Sequence, residues 1–249
     1  MYEKAMTAFD YAVVIRDDFA QAHSSLAQTY MTLENYPKAI EHYKSFLKNY
    51  KPDALTYSRI GHCYKMQNRF EDAREYYKKA IEVDGEFEDA WYGMGETYQY
   101  ELKYKNAIPF LEKSVEINEE EETYWHSLAT SYNLTDNTDK AEKAYNQVID
   151  LDPMHIESWI DYAFMLYDEE RNQESIDLLK ESTKVNPDSD ELHFVLSGML
   201  LVIGDKTQAE YYLDSAFRLN VDGENYLYDY FPHFENNNWI QNLIANYKQ

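Results

Sequence analysis

A single cysteine in 249 residues, Cys63, leaves no internal disulfide framework and no multi-cysteine zinc or iron–sulfur site, and it fits a cytoplasmic location. Seven glycines and six prolines are too few for the many turns of an all-β chain, so long uninterrupted helices are expected. Long apolar runs are missing too. The best candidate, Phe194 to Gly204, is about half the roughly 20 residues of a membrane helix. At the start, Glu3, Asp10, Arg16, Asp17 and Asp18 interrupt any secretory signal. Basic residues are outnumbered 23 to 46, and the resulting net charge of −23 argues against nucleic acid, whose binders need clustered positive charge.

What is present is a 44% hydrophobic complement, sufficient for a folded core, and a period. Ala27, Gly61, Gly95, Ala129, Ala163 and Ser197 lie 34 residues apart, and Tyr30, Tyr64, Tyr98, Tyr132, Leu166 and Leu200 succeed them at the same interval. Twelve residues after the first column comes a second small one: Ala39, Ala73, Ala107, Ala141, Ser175 and Ala209. Ala, Gly and Ser make up 39 of 249 residues, so six small residues in one column have a chance of about 10⁻⁵. Within a unit, Trp91, Met94 and Tyr98, then Ala107, Phe110, Leu111 and Ser114, step by three and four, which predicts two helices per unit. Small residues belong where paired helices cross closely. Pro37 suits the first turn of a second helix, Pro153 and Pro187 fall in links, and Pro109 is expected to lie within a first helical turn.

These columns resemble the tetratricopeptide repeat. The best units read Trp91, Met94, Gly95, Tyr98, Ala107, Leu111, Ser114 and Trp125, Leu128, Ala129, Tyr132, Ala141, Tyr145, Val148, Pro153. Departures are local: Phe46 and Val148 replace a usual Ala, and His23 and His193 stand where Trp91, Trp125 and Trp159 stand. The resemblance implies an all-α, right-handed superhelical solenoid of stacked helix pairs. A single array over 1–249 is expected, with full repeats at 20–53, 54–87, 88–121, 122–155, 156–189 and 190–223. Residues 1–19 would supply the second helix of a truncated repeat, with Met1 a cut in a longer chain or else a short native cap. Residues 224–249 would cap the other end, Pro232 stopping a short helix before the stripe Trp239, Ile240, Leu243, Ile244 and Tyr247, and the natural chain is expected to end there.

Catalytic candidates are thin. Seven histidines are scattered with no H-E-x-x-H pair, so no metal is expected, and His23 and His193, five repeats apart, read as packing residues. Cys63 reads as a packed, inert thiol. Gly93 and Gly95 form G-x-G inside a helix with no preceding strand, which is no phosphate loop, and Glu119 to Glu122 open a helix. Neither an enzyme nor a cofactor is expected.

By resemblance, the first helices line a concave groove that takes a protein or extended peptide. The facing residues would be Gln21, Ser24, Gln28 and Met31, then Leu55, Ser58, Arg59, His62 and Lys65, then Asp89, Tyr92, Glu96, Gln99 and Tyr100. Later repeats add Thr123, His126, Thr130 and Asn133, then Glu157, Ile160, Phe164 and Tyr167, then Glu191, Phe194, Gly198 and Leu201. The partner-binding set expected from these is Arg59, His62, Tyr92, Glu96, Gln99, His126, Thr130, Asn133, Phe164 and Tyr167. The Lys and Asn pattern with which some family members hold a chaperone C-terminal carboxylate is absent, Ser24, Gln28, Arg59, Asp89 and Gly93 standing there instead. Net charge is −8 over 1–125 and −15 over 126–249, so a neutral or basic segment is the favoured ligand. The expected role is a non-catalytic adaptor or scaffold. The alternatives are a structural spacer, self-association through the N-terminal helix, or the regulatory part of a larger protein.

Overall fold

Fourteen α-helices fill the described part of a computed structural model, residues 20–247, and among those residues there is no strand. The first helices of the repeats are α1 (Ala20–Thr32), α3 (Ala54–Lys65), α5 (Glu88–Tyr100), α7 (Glu122–Asn133), α9 (Ile156–Asp168) and α11 (Asp190–Val202). Their second helices are α2 (Tyr36–Asn49), α4 (Phe70–Val83), α6 (Tyr104–Ile117), α8 (Thr138–Leu151), α10 (Asn172–Val185) and α12 (Lys206–Leu219). A short α13 (Glu224–Tyr230), a 3₁₀ turn (Pro232–Phe234) and α14 (Asn238–Tyr247) complete the chain's order of elements. The second helix expected from residues 1–19 lies outside the described residues. The described residues form two compact units, 20–136 and 137–247.

Each first helix ends in the same way. Glu34, Asn68, Leu102, Asp136 and Glu170 hold φ between 57° and 60°, and Gly204 holds 87°, one residue every 34. Amide hydrogen bonds frame the turn: Glu34 N–H donates to the Met31 carbonyl and Asn35 N–H to the Tyr30 carbonyl, and the pair recurs at Leu102 and Lys103 with Gln99 and Tyr98. This double bond satisfies orphan carbonyls and turns the chain into the second helix. Side chains cap several N-termini, with Asp53 accepting from Thr56 N–H at 2.8 Å and Ser189 from Leu192 N–H at 3.3 Å.

The small columns sit where helices cross. Ala27, Ala129, Ala163 and Ser197 are fully buried, as are Ala39, Ala73, Ala107, Ala141 and Ser175. A bulky column on the second helices meets them within a repeat, Tyr77 at Gly61 and Leu111 at Gly95, and its other members Tyr43, Tyr145, Leu179 and Leu213 are buried as well. A Cβ at Gly95 would lie 2.6 Å from the Leu111 side chain, which is why the crossing admits nothing larger. Ser175 keeps this fit by donating its hydroxyl to the Ala163 carbonyl at 2.7 Å.

The unit of residues 20–136 has a core of Leu26, Ile60, Cys63, Tyr43 and Tyr77 between its helix layers. The other unit builds its core from Trp159, Leu179, Leu192, Phe194, Leu196 and Met199 and closes it with Leu227, Phe231, Ile240 and Ile244 of the C-terminal segment. Pro232 does stop α13, and the stripe of α14 packs inward through Ile240 and Ile244. Pro109 departs from expectation. It is the sixth residue of α6, beyond the first turn, so the Lys105 carbonyl receives no amide from it.

Candidate functional site

The first helices of residues 20–136 are tied edge to edge by polar side chains. Lys65 of α3, almost fully buried, forms an ion pair with Glu96 of α5. From α5, Gln99 donates its amide to the Ser127 carbonyl at 2.9 Å and to the Ser131 hydroxyl at 3.0 Å on α7. Tyr92 lies 3.2 Å from the Ser127 hydroxyl, and its ring tilts over Tyr124 with centroids 4.6 Å apart. Tyr124 in turn donates to Asp89 at 2.8 Å. Burial raises the phenol of Tyr92 well above its ordinary range, so it stays a neutral hydroxyl.

A hollow of about 520 Å³ opens in this face. Met31 of α1, Leu55, Ser58, Arg59, His62 and Lys65 of α3, and Asp89, Tyr92, Gly93 and Glu96 of α5 line it, with Tyr77 of α4. Four residues of the expected binding set, Arg59, His62, Tyr92 and Glu96, therefore share one hollow. Burial and then the neighbouring Lys65 charge hold His62 below the usual imidazole value, favouring the neutral ring.

The other six are half-buried, but not in that hollow. Gln99 faces α7, and the hydroxyl of Thr130 donates to the His126 carbonyl at 3.0 Å. Asn133 lies in the last turn of α7. Phe164 and Tyr167 of α9 pack against the second core, Phe164 stacking on Tyr230 with centroids 5.7 Å apart. Tyr230 anchors there by donating to Glu191 at 2.9 Å. Phe194 and Gly198, expected to face a groove, do not: both are buried, and a Cβ at Gly198 would meet Phe231 at 2.2 Å. Ile160 is buried as well. In this unit the segment after α12 covers the later first-helix positions.

Cys63 has no exposure, and burial pushes its thiol up to about 12, far from a working thiolate. His23 and His193 are buried packing residues, His193 bonding the Ser189 carbonyl at 2.7 Å.

Comparison with known proteins matches residues 18–86 to the model of the tetratricopeptide repeat and residues 101–182 to that of anaphase-promoting complex, cyclosome, subunit 3. The chain is a tetratricopeptide repeat protein. No curated protein matches the sequence. Among solved structures, the C-terminal part of a tetratricopeptide repeat-containing protein from Cytophaga hutchinsonii aligns with a TM-score of 0.76 at 14% identity, covering 91% of this chain and 93% of that one. YrrB, described as a TPR protein with an unusual peptide-binding site, aligns at 0.60 with 20% identity over 73% of this chain and 93% of its own. One chain of the APC/C hetero-tetramer Cut9–Hcn1 aligns at 0.61 with 10% identity, covering all of this chain and 46% of that chain. At these identities the likeness is one of fold.

Two features of this tetratricopeptide repeat protein escape a reading by columns. One is the left-handed turn residue, whose column mixes Glu, Asn, Leu, Asp and Gly. The other is the loop latch: Trp91, Trp125 and Trp159 each donate their indole N–H to the carbonyl six residues earlier, on Gly85, Glu119 and Pro153, at 2.9 to 3.0 Å. The tryptophan column signals packing; its hydrogen bond explains why the ring recurs with an N–H.

Proposed function

We propose that this protein is a non-catalytic scaffold that holds an extended segment of a protein partner against its first-helix face, entering at the hollow between α3 and α5. The observation that carries this reading is the hollow itself. Three successive first helices contribute to it, and it combines apolar surface from Met31 and Leu55 with polar and charged groups from Arg59, His62 and Asp89. A few convergent polar groups on an apolar wall suit recognition of a peptide, where the wall gives contact area and the polar groups fix register. The binding set extends along the same face through Gln99, His126, Thr130 and Asn133. With −23 on the chain, the bound segment is neutral or basic in net charge.

The test is affinity capture from the source lysate with the parent chain and with Leu55→Asp, in parallel with Lys78→Asp on the second-helix side. Leu55 is 44% exposed and Lys78 is exposed, so both variants should keep the parent's helical circular dichroism. Partners retained by the parent and by Lys78→Asp but lost by Leu55→Asp support the reading. Loss at Lys78→Asp with retention at Leu55→Asp overturns it in favour of the second-helix surface.

A further inference from the structure

From the second repeat on, an Asp or Asn follows the end of each second helix: Asp84, Asn118, Asp152, Asn186 and Asn220. Four of them close their own link. The side-chain oxygen accepts the backbone N–H two residues on, Glu86 donating to Asp84 at 3.0 Å, Glu120 to Asn118 at 3.2 Å, Met154 to Asp152 at 2.9 Å and Asp222 to Asn220 at 3.2 Å. Asn186 is the exception. It is 2% exposed, and its Oδ1 is buried with no hydrogen-bond partner among the described residues.

The other polar groups of Asn186 are engaged. Its N–H donates to the Ser182 carbonyl at 2.8 Å, its carbonyl accepts from Ser189 N–H at 3.2 Å, and its Nδ2 donates to the Pro153 carbonyl at 3.0 Å. That last bond fixes the amide, because exchanging its ends would set Oδ1 against a carbonyl oxygen. A buried acceptor left unanswered is rare, since folding removes its water without returning a donor. Asn186 is also the buried member of a hollow of about 230 Å³, lined besides by Met154, Ile156, Pro187, Asp188 and Ser189. The Ser189 oxygen already caps α11, no cation among the described residues pairs with Asp188, and the lining holds no basic residue.

We infer that this hollow takes one basic side chain of a partner, its alkyl stem against Met154, Ile156 and Pro187 and its cationic head between Asn186 Oδ1 and the Asp188 carboxylate. Both polar groups left open are acceptors, so the ligand must donate, and the anionic one selects a cation. Lysine and arginine carry such a head on an apolar stem. Met154, unbranched and 63% exposed, is the wall that moves to admit the head to the covered oxygen. The hollow sits on the α8–α9 and α10–α11 links, so it stands independently of the first-helix face.

The experiment titrates the chain, with labelled Met methyl groups and Asn side-chain amides, by NMR with acetylated pentapeptide amides Ala-Ala-X-Ala-Ala, X being Arg, Lys or norleucine. The same titrations are run on Asn186→Leu, on Asp188→Asn and on Asp139→Asn. Asp139→Asn removes an equal charge from an exposed site at the other end of α8, about 20 Å along the helix. We expect a basic peptide to shift the Met154 methyl and the Asn186 amide saturably and to bind about tenfold tighter than the norleucine peptide. Asn186→Leu should erase that preference, Asp188→Asn should reduce it about two- to fivefold, and Asp139→Asn should leave it unchanged. A preference for arginine or for lysine supports the inference in either case and identifies the head. Equal binding of the norleucine peptide makes the hollow an apolar dent, and equal weakening by Asp139→Asn and Asp188→Asn makes the attraction one of the whole acidic surface; either overturns the inference. No shift at Met154 overturns it too, leaving Oδ1 to water. If Asn186→Leu loses the parent's helical circular dichroism, the comparison of Asp188→Asn with Asp139→Asn, both exposed, decides alone.

Discussion

Leu102 is the residue most plainly at odds with its backbone. It is 73% exposed and holds φ 58°, a left-handed conformation that costs an L residue roughly 1–2 kcal/mol. Only in the sixth repeat does glycine, Gly204, occupy the equivalent position. Leu102→Gly should therefore stabilise the protein by about 1 kcal/mol, net of the entropy glycine loses on folding. Urea unfolding checks this through a higher midpoint at unchanged slope; an unchanged or lower midpoint contradicts it. The position is not legible in the sequence because two amide hydrogen bonds impose the turn and leave the side chain free to vary. The small columns are legible for the opposite reason. At Gly61 and Gly95 a bulky neighbour stands within 2.9 Å of where a Cβ would be, so size is constrained. Gly93 can be dismissed as a phosphate-loop glycine from its surroundings in the chain, but that it makes room for the Tyr77 ring shows only once the facing helix is seen.

Among the helices, the segment after α12 determines how much of the later first-helix surface is open. The short α13 delivers Leu227, Tyr230 and Phe231 onto α9 and α11, and Gly198 leaves the space that Phe231 fills. Gly198→Ala should cost about 1–3 kcal/mol, since its Cβ would press on an aromatic ring in a packed core. Hydrogen exchange would show the loss concentrated in α13 and α14 if Phe231 is expelled; a change of less than about 0.5 kcal/mol would mean the ring moves aside freely. The stripe of α14 and the stop at Pro232 are readable as a cap from period and proline alone. That the cap also buries Phe194 and Gly198 is not, because their column lines a face only as long as nothing packs on it. Pro109 shows a further limit: proline's preference for a first turn is a tendency that the packing of Ala107 and Leu111 on either side overrides here.

For the molecule as a whole, the repeat period makes helix starts readable, since each repeat must present the same small residue to its partner helix. The binding set is a different matter. Residues on the first-helix face vary from repeat to repeat, and their chemistry depends on which neighbours engage them. Glu96 and Asp89 look like groove acids in the sequence but are engaged by Lys65 and Tyr124, whereas Arg59 has no acid partner among the described residues. Net charge sets a bias against polyanions over the whole surface, and local pairing decides what a single site accepts. The central claim is that partners are held on the first-helix face. Site-specific photo-crosslinking tests it most directly, with benzoylphenylalanine placed at Leu55 in one chain and at Lys78 in another, each irradiated in lysate. The account predicts discrete crosslinked partner bands from Leu55, diminished by Arg59→Gln, and none of these bands from Lys78; the same bands from Lys78, or from both positions alike, would contradict it.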